Sequence, residues 1–290
     1  MIYSFIHKHR FQFRVEKMCK VMQVSRSGYY KWVKRKPSTQ EKRRQKLKKR
    51  IQHHYYAFKK RYGSLKVTEK LRQEGLVVSA KTVSRLMKEM GLRSITVKKY
   101  KATTNSKHKL PVYDNVLDRQ FKPEAPNRAW VSDITYIATQ QGWVYLASVM
   151  DLYSRKIVGW ALSDRMTKEL VLEAFDKACI RQKPPKELIH HSDRGAQYAS
   201  KDYRERIATM EMTGSMSRKG NCYDNACIEA FHSVLKKELI YQTKFKTRKQ
   251  AYEAIYEYIE LEYNRIRIHS AINYLTPHEC EKRYYQQRVA

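Results

Sequence analysis

The apolar side chains of the first part of the chain recur at helical spacing. Val15, Met18 and Met22 form one stripe, and a second helix restarts after Ser25, a residue type that often caps helix N-termini. A short helix, a tight turn and a capped helix are typical of helix-turn-helix units, although many small helical hairpins bind nothing. We therefore predict a helix-turn-helix-like segment over residues 1–36.

A second helical unit is predicted over residues 37–93. Ser38 and Glu41 are spaced as a capping box before a long basic helix, and two shorter helices follow. The last helix has a predicted buried stripe of Val83, Leu86, Met87 and Met90 and an outer face of Lys81, Ser84, Arg85 and Lys88. An exposed basic face on the third helix of such a unit can enter a major groove of DNA.

From residue 129 the pattern changes to β-branched and aromatic runs separated by turn residues. We predict strands over 130–138, 143–150, 157–162, 188–191 and 211–213, and helices over 168–181, 200–209 and 249–265. The first three strands have short connections and should be antiparallel neighbours, whereas a strand reached across a helix should be parallel to the first. The pattern predicts an α/β domain with a mixed five-stranded sheet and flanking helices.

One more helix should begin near residues 223–225, after a basic loop that contains glycine. Helical spacing predicts a buried face of Cys227, Ala230, Phe231 and Val234 and an outer face of Asn225, Glu229, His232, Ser233 and Lys236. A solvated stripe is the ordinary interpretation of such a face.

Basic residues are concentrated in the first part of the chain. The whole chain has 60 Lys and Arg against 28 Asp and Glu, a net charge of +32. Residues 1–110 hold 32 of the basic and 5 of the acidic side chains, so this part is +27 and the rest is +5. The asymmetry indicates a polyanionic partner, most simply double-stranded DNA. We predict that the basic stretch 94–122 is a linker that follows phosphates.

A membrane protein or a disulfide framework fits the sequence less well. The opening apolar stretch, residues 1–6, is too short for a signal peptide or a membrane span, and no long apolar run follows. The five cysteines are scattered, odd in number and without a zinc-binding spacing. We expect reduced thiols in a cytoplasmic protein with no membrane partner.

Three acids fall where the predicted elements can bring them together. Asp133 lies within a strand, Asp193 follows a strand end, and Glu229 lies on a helix. Clustered carboxylates repel one another unless a cation neutralises them, and hard oxygen ligands favour Mg²⁺ or Mn²⁺ over zinc. Two such ions per site could act on a phosphodiester. Asp151 lies in a hairpin turn, where we predict a capping role instead.

Longer motifs surround these acids: residues 130–137, 149–160, 191–198, 215–229, 263–264 and 276–277, with His269. They resemble the DDE core of retroviral-integrase-like transposases and, more closely, the second-reading-frame protein of the insertion-sequence-three family. Upstream, residues 24–30 and 62–64 resemble the same proteins. The resemblance covers nearly the whole chain.

The resemblance implies a ribonuclease-H-like catalytic core over residues 123–265, in agreement with the predicted strand order, and a C-terminal tail over 266–290. It implies cleavage of DNA 3′ ends by water, followed by attack of each 3′-hydroxyl on a second phosphodiester. It also implies a homo-oligomer on DNA in the bacterial nucleoid. An upstream helix-turn-helix and leucine-zipper protein, joined by ribosomal frameshifting, is a further implied partner.

Carried over by position, the catalytic metal ligands are Asp133, Asp193 and Glu229. The predicted DNA contacts are Lys236, which would hold the transferred end, together with Arg218, Lys219, Asn225, Tyr198, Arg26, Tyr29, Tyr30, Arg61, Tyr62, Lys81, Ser84, Arg85, Lys98 and Lys99. Arg218 and Lys219 are interpreted as phosphate contacts rather than salt-bridge partners. Tyr198, Asn225 and His232 could instead support the acids, and His190 and His191 should pack beside the site.

Two other functions stay open at this point. A non-catalytic DNA-binding regulator would use the basic first part alone. A structure-specific nuclease of the same fold would hydrolyse DNA without joining it.

Overall fold

The computed structural model describes residues 1–96 and 110–289. Residues 1–36 fold into the helices α1 Ile2–His9, α2 Val15–Val21 and α3 Arg26–Val33. The Ser25 hydroxyl accepts a hydrogen bond from the Gly28 N–H at 3.1 Å, which confirms the predicted N-cap. A small buried cluster holds these helices together: Ile6, Met18, Cys19 and Tyr29.

The second helical unit follows as α4 Thr39–Ala57, α5 Ser64–Gln73 and α6 Ala80–Glu89. The Ser38 hydroxyl accepts from the Glu41 N–H at 3.1 Å and so caps α4. The two faces of α6 are as predicted: Val83, Leu86 and Met87 are buried, whereas Lys81, Ser84, Arg85 and Lys88 are exposed. The basic face of α6 is therefore directed to solvent.

The described residues after 110 contain a mixed five-stranded sheet. Its strands are β1 Ala129–Thr139, β2 Gly142–Asp151, β3 Ile157–Ser163, β4 Ile189–Ser192 and β5 Thr213–Met216. The order is β3-β2-β1-β4-β5, with β1–β2 and β2–β3 antiparallel and β1–β4 and β4–β5 parallel. This arrangement confirms the predicted fold class.

Helices cover both faces of the sheet. The first pair is α7 Lys168–Gln182 and α8 Lys201–Thr209, and the second is α9 Ala226–Glu238 and α10 Arg248–Tyr256. Alternation along β1 supplies both cores: Trp130 packs with α7 and α8, whereas Val131 packs with α9 and α10. A Cβ at Gly159 would lie 2.2 Å from the Ala174 carbonyl, so glycine permits the close approach of α7 to β3.

Several element boundaries differ from the prediction. The fifth strand was expected over 211–213, but Glu211 takes a left-handed turn with φ +53° after α8, and β5 begins two residues later. A 3₁₀ turn, Cys222–Asn225, precedes α9. The helix expected to reach 265 changes from α10 to a π-helical stretch, Glu257–Tyr263. No helix within residues 1–96 or 110–289 is both long and apolar enough to cross a bilayer.

The chain from the π-helical stretch to α11 Pro277–Val289 contacts the second helical unit. Glu262 forms ion pairs with Lys59 and Arg61 of the second helical unit. The Ile268 N–H donates to the Tyr62 hydroxyl at 3.0 Å, and the Ile268 side chain is fully buried in the core of that unit. The second helical unit and the part of the chain that contains the sheet therefore share a packed interface.

The C-terminal end of α9 is anchored at this interface. Glu238 has a side chain that is 5% exposed, and it accepts a hydrogen bond from the Arg267 guanidinium at 3.0 Å. The Tyr258 hydroxyl donates to the same carboxylate at 2.8 Å. Because a buried carboxylate requires such partners, α9 is fixed in position at this end.

Candidate active site

Asp133 lies in the middle of β1, directly opposite Ser148 of β2. The His232 ring of α9 fills the space between them: its Nδ1 is 3.2 Å from Asp133 Oδ2, and its Nε2 is 3.2 Å from Ser148 Oγ. The Asp133 side chain is 15% exposed, so one part of the carboxylate still meets solvent. His232 thus holds the Asp133 carboxylate in one orientation.

Asp193 follows β4, which lies beside β1. The Gly195 N–H donates to Asp193 Oδ1 at 2.9 Å and holds the carboxylate in place. Burial, together with the negative charges of Asp133 and Glu229, raises the pKa of Asp193 to about 7, while the Gly195 hydrogen bond acts in the opposite direction. The charge on Asp193 is therefore costly in this environment.

Glu229 extends from the first turn of α9. The Asn225 side-chain N–H donates to the Ser132 carbonyl at 3.0 Å and so joins the start of the helix to β1. Burial, followed by the charge of Asp133, raises the pKa of Glu229. The three carboxylates of a strand, a strand end and a helix thus act on one another electrostatically.

The buried face of α9 differs from the predicted one. The buried side chains on this face are Ile228, Phe231, His232 and Leu235. Of the predicted face only Phe231 is buried; Cys227 and Val234 are partly exposed and Ala230 is exposed. The prediction set the stripe about one position too early because it followed cysteine and alanine. His232 is consequently on the inner side, where it contacts Asp133.

The acid cluster suits a hard divalent cation. Within residues 1–96 and 110–289, no three acidic, histidine or cysteine side chains lie close enough to enclose an ion as they stand. Burial is the main cause of the raised pKa values of Asp193 and Glu229, and the charges of the neighbouring acids add to it; a bound cation would offset both effects. Oxygen-only donors are the ligands that Mg²⁺ and Mn²⁺ prefer.

The loop before α9 is held by a buried carboxylate rather than left open. Asp224 is fully buried and accepts hydrogen bonds from Arg218 at 2.8 and 2.9 Å and from Arg119 at 2.8 Å. The Arg218 guanidinium, followed by its N–H and by Arg119, holds the pKa of Asp224 well below its usual range. Arg218 was predicted to contact phosphate rather than to form a salt bridge. It does form a salt bridge, but its side chain is 49% exposed, so the phosphate contact stays a prediction, as it does for the exposed Lys219.

Several residues that were predicted to contact DNA are buried, so the prediction of a direct contact is wrong at these positions. They are Tyr29, Tyr62, Tyr198 and Asn225, each 2% exposed. Arg61 has a side chain that is 13% exposed and pairs with Glu262. These tyrosine rings and polar groups serve packing and internal hydrogen bonds, which their positions in sequence did not reveal.

Other predicted contacts remain accessible. The exposed ones are Arg26, Tyr30, Lys81, Ser84, Arg85 and Lys219. Lys236 is half-buried, and its Nζ lies 4.4 Å from the centre of the Tyr136 ring. Lys98 and Lys99 lie outside the described residues.

The histidines and Asp151 have supporting roles. His190 Nε2 lies 3.0 Å from Ser132 Oγ, and His191 lies 2.8 Å from Ser215 Oγ, so they link β4 to both neighbouring strands. Burial lowers the pKa of His190 to about 3 and that of His191 to about 4, which keeps both rings neutral. Asp151 accepts from Ser154 Oγ at 2.6 Å, which confirms its turn-capping role.

Comparison with known families agrees with this geometry. The family described as "Integrase core domain" matches residues 123–222, and a second family with the same description matches 210–277. The family described as "HTH-like domain" matches residues 42–100.

Two curated relatives align over almost their full length. The insertion element IS600 uncharacterized 31 kDa protein of Shigella sonnei is 45% identical over 269 residues, which cover 93% of this chain and 99% of that protein. The transposase InsF for insertion sequence IS3A of Escherichia coli (strain K12) is 40% identical over 285 residues, or 98% and 99% of the two chains.

Solved structures show weaker likeness. A chain of the simian T-cell lymphotropic virus intasome in complex with PP2A regulatory subunit B56 gamma aligns over 80% of this chain and 73% of that chain, at 14% identity and a TM-score of 0.47. The HTLV-2 integrase catalytic core domain in complex with magnesium aligns with 55% and 99%, at 16% identity and a TM-score of 0.43.

The site and the full-length relatives lead to one identification. The curated relatives are transposon proteins along their whole length, and the integrase-core match includes the strands that carry the first two acids. This chain therefore belongs to the insertion-sequence-three (IS3) family of transposases, DNA-binding polynucleotidyl transferases of the DDE type that act in DNA transposition.

Proposed function

We propose that this transposase cleaves the 3′ ends of its insertion sequence with water and then joins each 3′-hydroxyl to a second phosphodiester. The observation that carries the proposal is the placement of the three acids: the paired strands β1 and β4 bring Asp133 next to Asp193, and Asn225 holds the start of α9, which carries Glu229, against Ser132 of β1. These three carboxylates would hold Mg²⁺ or Mn²⁺, two ions per site. When bound, the ions supply positive charge that activates the attacking oxygen and stabilises the leaving oxygen.

The surrounding groups orient the acids and the DNA. His232 supports Asp133, and the Gly195 N–H fixes Asp193, so both carboxylates are positioned before substrate arrives. Lys236 lies two helical turns after Glu229 and would hold a phosphate of the transferred end. The nucleophile is an oxygen of water and then of the DNA itself, so the chemistry requires no covalent link between protein and DNA.

The exposed basic residues would hold the duplex. The proposed contacts are Arg26, Tyr30, Lys81, Ser84, Arg85 and Lys219. Two transposon ends need two active sites if they are processed together, so we expect more than one copy of the chain on paired ends.

The test is a strand-joining assay with precut transposon ends, with and without Mg²⁺. Asp193→Asn should abolish joining and leave DNA binding unchanged or slightly tighter, because it removes one negative charge near the phosphates. Asp202→Asn is the matched control, since Asp202 is half-exposed on α8 and pairs with Lys168 at 2.6 Å. The control should join ends like the native chain.

Each other outcome has a definite meaning. Joining by Asp193→Asn would exclude the proposed site. Hydrolysed products without joined ones would favour a nuclease, and binding without any product in the native chain would favour a regulator.

A further inference from the structure

A groove with aromatic and basic walls lies beside the acid cluster. It has a volume of about 630 Å³ and runs between the β1–β2 hairpin and the segment that follows α9. Its lining includes Tyr136, Trp143, Lys236, Tyr241 and Lys244. A cavity of this size falls in the range of small-ligand sites and can hold a single nucleotide.

The aromatic wall presents ring surface to solvent. Trp143 is 50% exposed and Tyr241 is 44% exposed. Trp143 packs edge-to-face against Tyr136, with ring centres 5.2 Å apart and planes at 81°. This contact fixes the tryptophan in position, and a large, rigid, half-exposed ring is a platform on which a nucleobase can stack.

The basic wall connects the groove to the active site. Lys236 Nζ lies 4.4 Å from the centre of the Tyr136 ring, and burial lowers the lysine pKa, while Tyr136 and Asp133 act in the opposite direction. Lys236 lies two turns after Glu229 on α9, and Tyr136 lies three residues after Asp133 on β1, so the groove is formed by the same two elements that carry these acids. Lys244 adds a second positive charge to the same wall. Aromatic and basic side chains together are the combination that binds unpaired nucleic acid.

We propose that this groove binds one unpaired nucleotide of the DNA substrate, with the base stacked on Trp143 and the phosphate held by Lys236 or Lys244. Within a duplex both faces of a base are covered by its neighbours, so the groove selects a base that has left the stack. This inference rests on the proposed function and deepens it: the terminal base of the DNA beside the cleaved bond would be unpaired when the protein binds it.

The test compares two duplexes of the same mixed sequence, one fully paired and one with a single unpaired 2-aminopurine at its end. Binding of the full-length chain is measured by fluorescence anisotropy without divalent ions. Trp143→Ala should weaken binding of the unpaired end about tenfold, within the range of one base–aromatic stack, and alter binding of the paired duplex less than about twofold. The native chain should also quench 2-aminopurine fluorescence, and Trp143→Ala should not.

The matched control is Tyr256→Ala. Tyr256 is 49% exposed and contacts Trp160 edge-to-face, with ring centres 6.1 Å apart, but it lies outside the groove. This control should bind both duplexes like the native chain, and Trp143→Phe should restore most of the preference. Lys244→Gln, a change at a surface charge, should weaken the unpaired end more than the paired one.

Equal losses on both duplexes, no loss with Trp143→Ala, or the same loss with Tyr256→Ala would overturn the proposal. A groove that binds a peptide would give no preference for the unpaired end. The assay measures DNA binding without metal ions. A preference for the unpaired end can therefore be found in a chain that does not join strands, and can be absent in a chain that does. The two proposals are therefore tested separately.

Discussion

Replacing Asp193 by asparagine should stabilise the metal-free protein even as it removes the proposed chemistry. The pKa of Asp193 in the fold is about 7, against an ordinary value of 3.8. Each pH unit of this difference corresponds to about 1.4 kcal/mol, so the charged form costs at most about 4 kcal/mol. The carboxylate still meets some solvent and asparagine accepts a weaker hydrogen bond from Gly195, so we expect a gain of about 2 kcal/mol.

The gain should depend on pH in one direction. Above about pH 7 the carboxylate is charged in both the folded and the unfolded chain, and the full cost of burying that charge near Asp133 and Glu229 applies. Below about pH 4 it is protonated in both states, and the cost disappears. Native stability conferred by this group therefore falls as the pH rises from about 4 to about 7, and the variant should follow a flatter curve.

Urea denaturation in the presence of a chelator measures this difference. Tryptophan fluorescence reports on the catalytic core, because Trp130 is fully buried in β1. The free energy of unfolding should be higher for Asp193→Asn than for the native chain at about pH 8, and the two should converge at about pH 4. Asp202→Asn provides the opposite case: a hydrogen bond from Lys168 lowers the pKa of Asp202, so its removal should give no gain.

A variant that is less stable than the native chain at both pH values would refute the electrostatic argument. An equal gain at both pH values would do the same, since it would show that packing rather than charge is responsible.

Three further predictions follow from buried charges and from the surface. Arg267→Met should lower the free energy of unfolding by about 3 kcal/mol in urea denaturation, because Glu238 would remain buried without its partner; a loss below about 1 kcal/mol would contradict this. Asp224→Asn should release the loop around Arg218, so that limited proteolysis cuts it faster than in the native chain. Because the pKa of Asp224 is depressed, the native loop should loosen only as the pH falls below about 4. A variant as resistant to protease as the native chain would contradict this role of Asp224. DNA affinity should fall at least about a hundredfold between about 50 and 200 mM salt in an anisotropy titration, and a flat response would exclude phosphate contact by the basic first part.

The sheet and the acids could be predicted because their signals are local. Short turns make β1, β2 and β3 antiparallel neighbours, and a helix between β1 and β4 makes those two parallel. That order alone brings the middle of β1 next to the end of β4, which is why Asp133 and Asp193 could be paired from sequence. The tight turn between β1 and β2 also sets their register, so Ser148 could have been found opposite Asp133 by counting from the turn.

What could not be predicted depends on contacts between distant parts of the chain. Arg119 lies in a stretch interpreted as a linker, yet it binds the buried Asp224 more than a hundred residues away. Tyr198 has the composition of a DNA-contacting residue, but its burial depends on how α8 packs against the sheet. Neither periodicity nor spacing contains that information.

The anchoring of α9 at both ends has a mechanical consequence. Glu229 and Glu238 are nine positions apart, or about 14 Å along a stiff helical rod. Glu229 at one end belongs to the acid site. Glu238 at the other end forms an ion pair with Arg267, and the next residue, Ile268, is buried in the core of the second helical unit. Because α9 is continuous over Ala226–Glu238, a displacement of the second helical unit at Arg267 and Ile268 would act directly on the helix that carries Glu229.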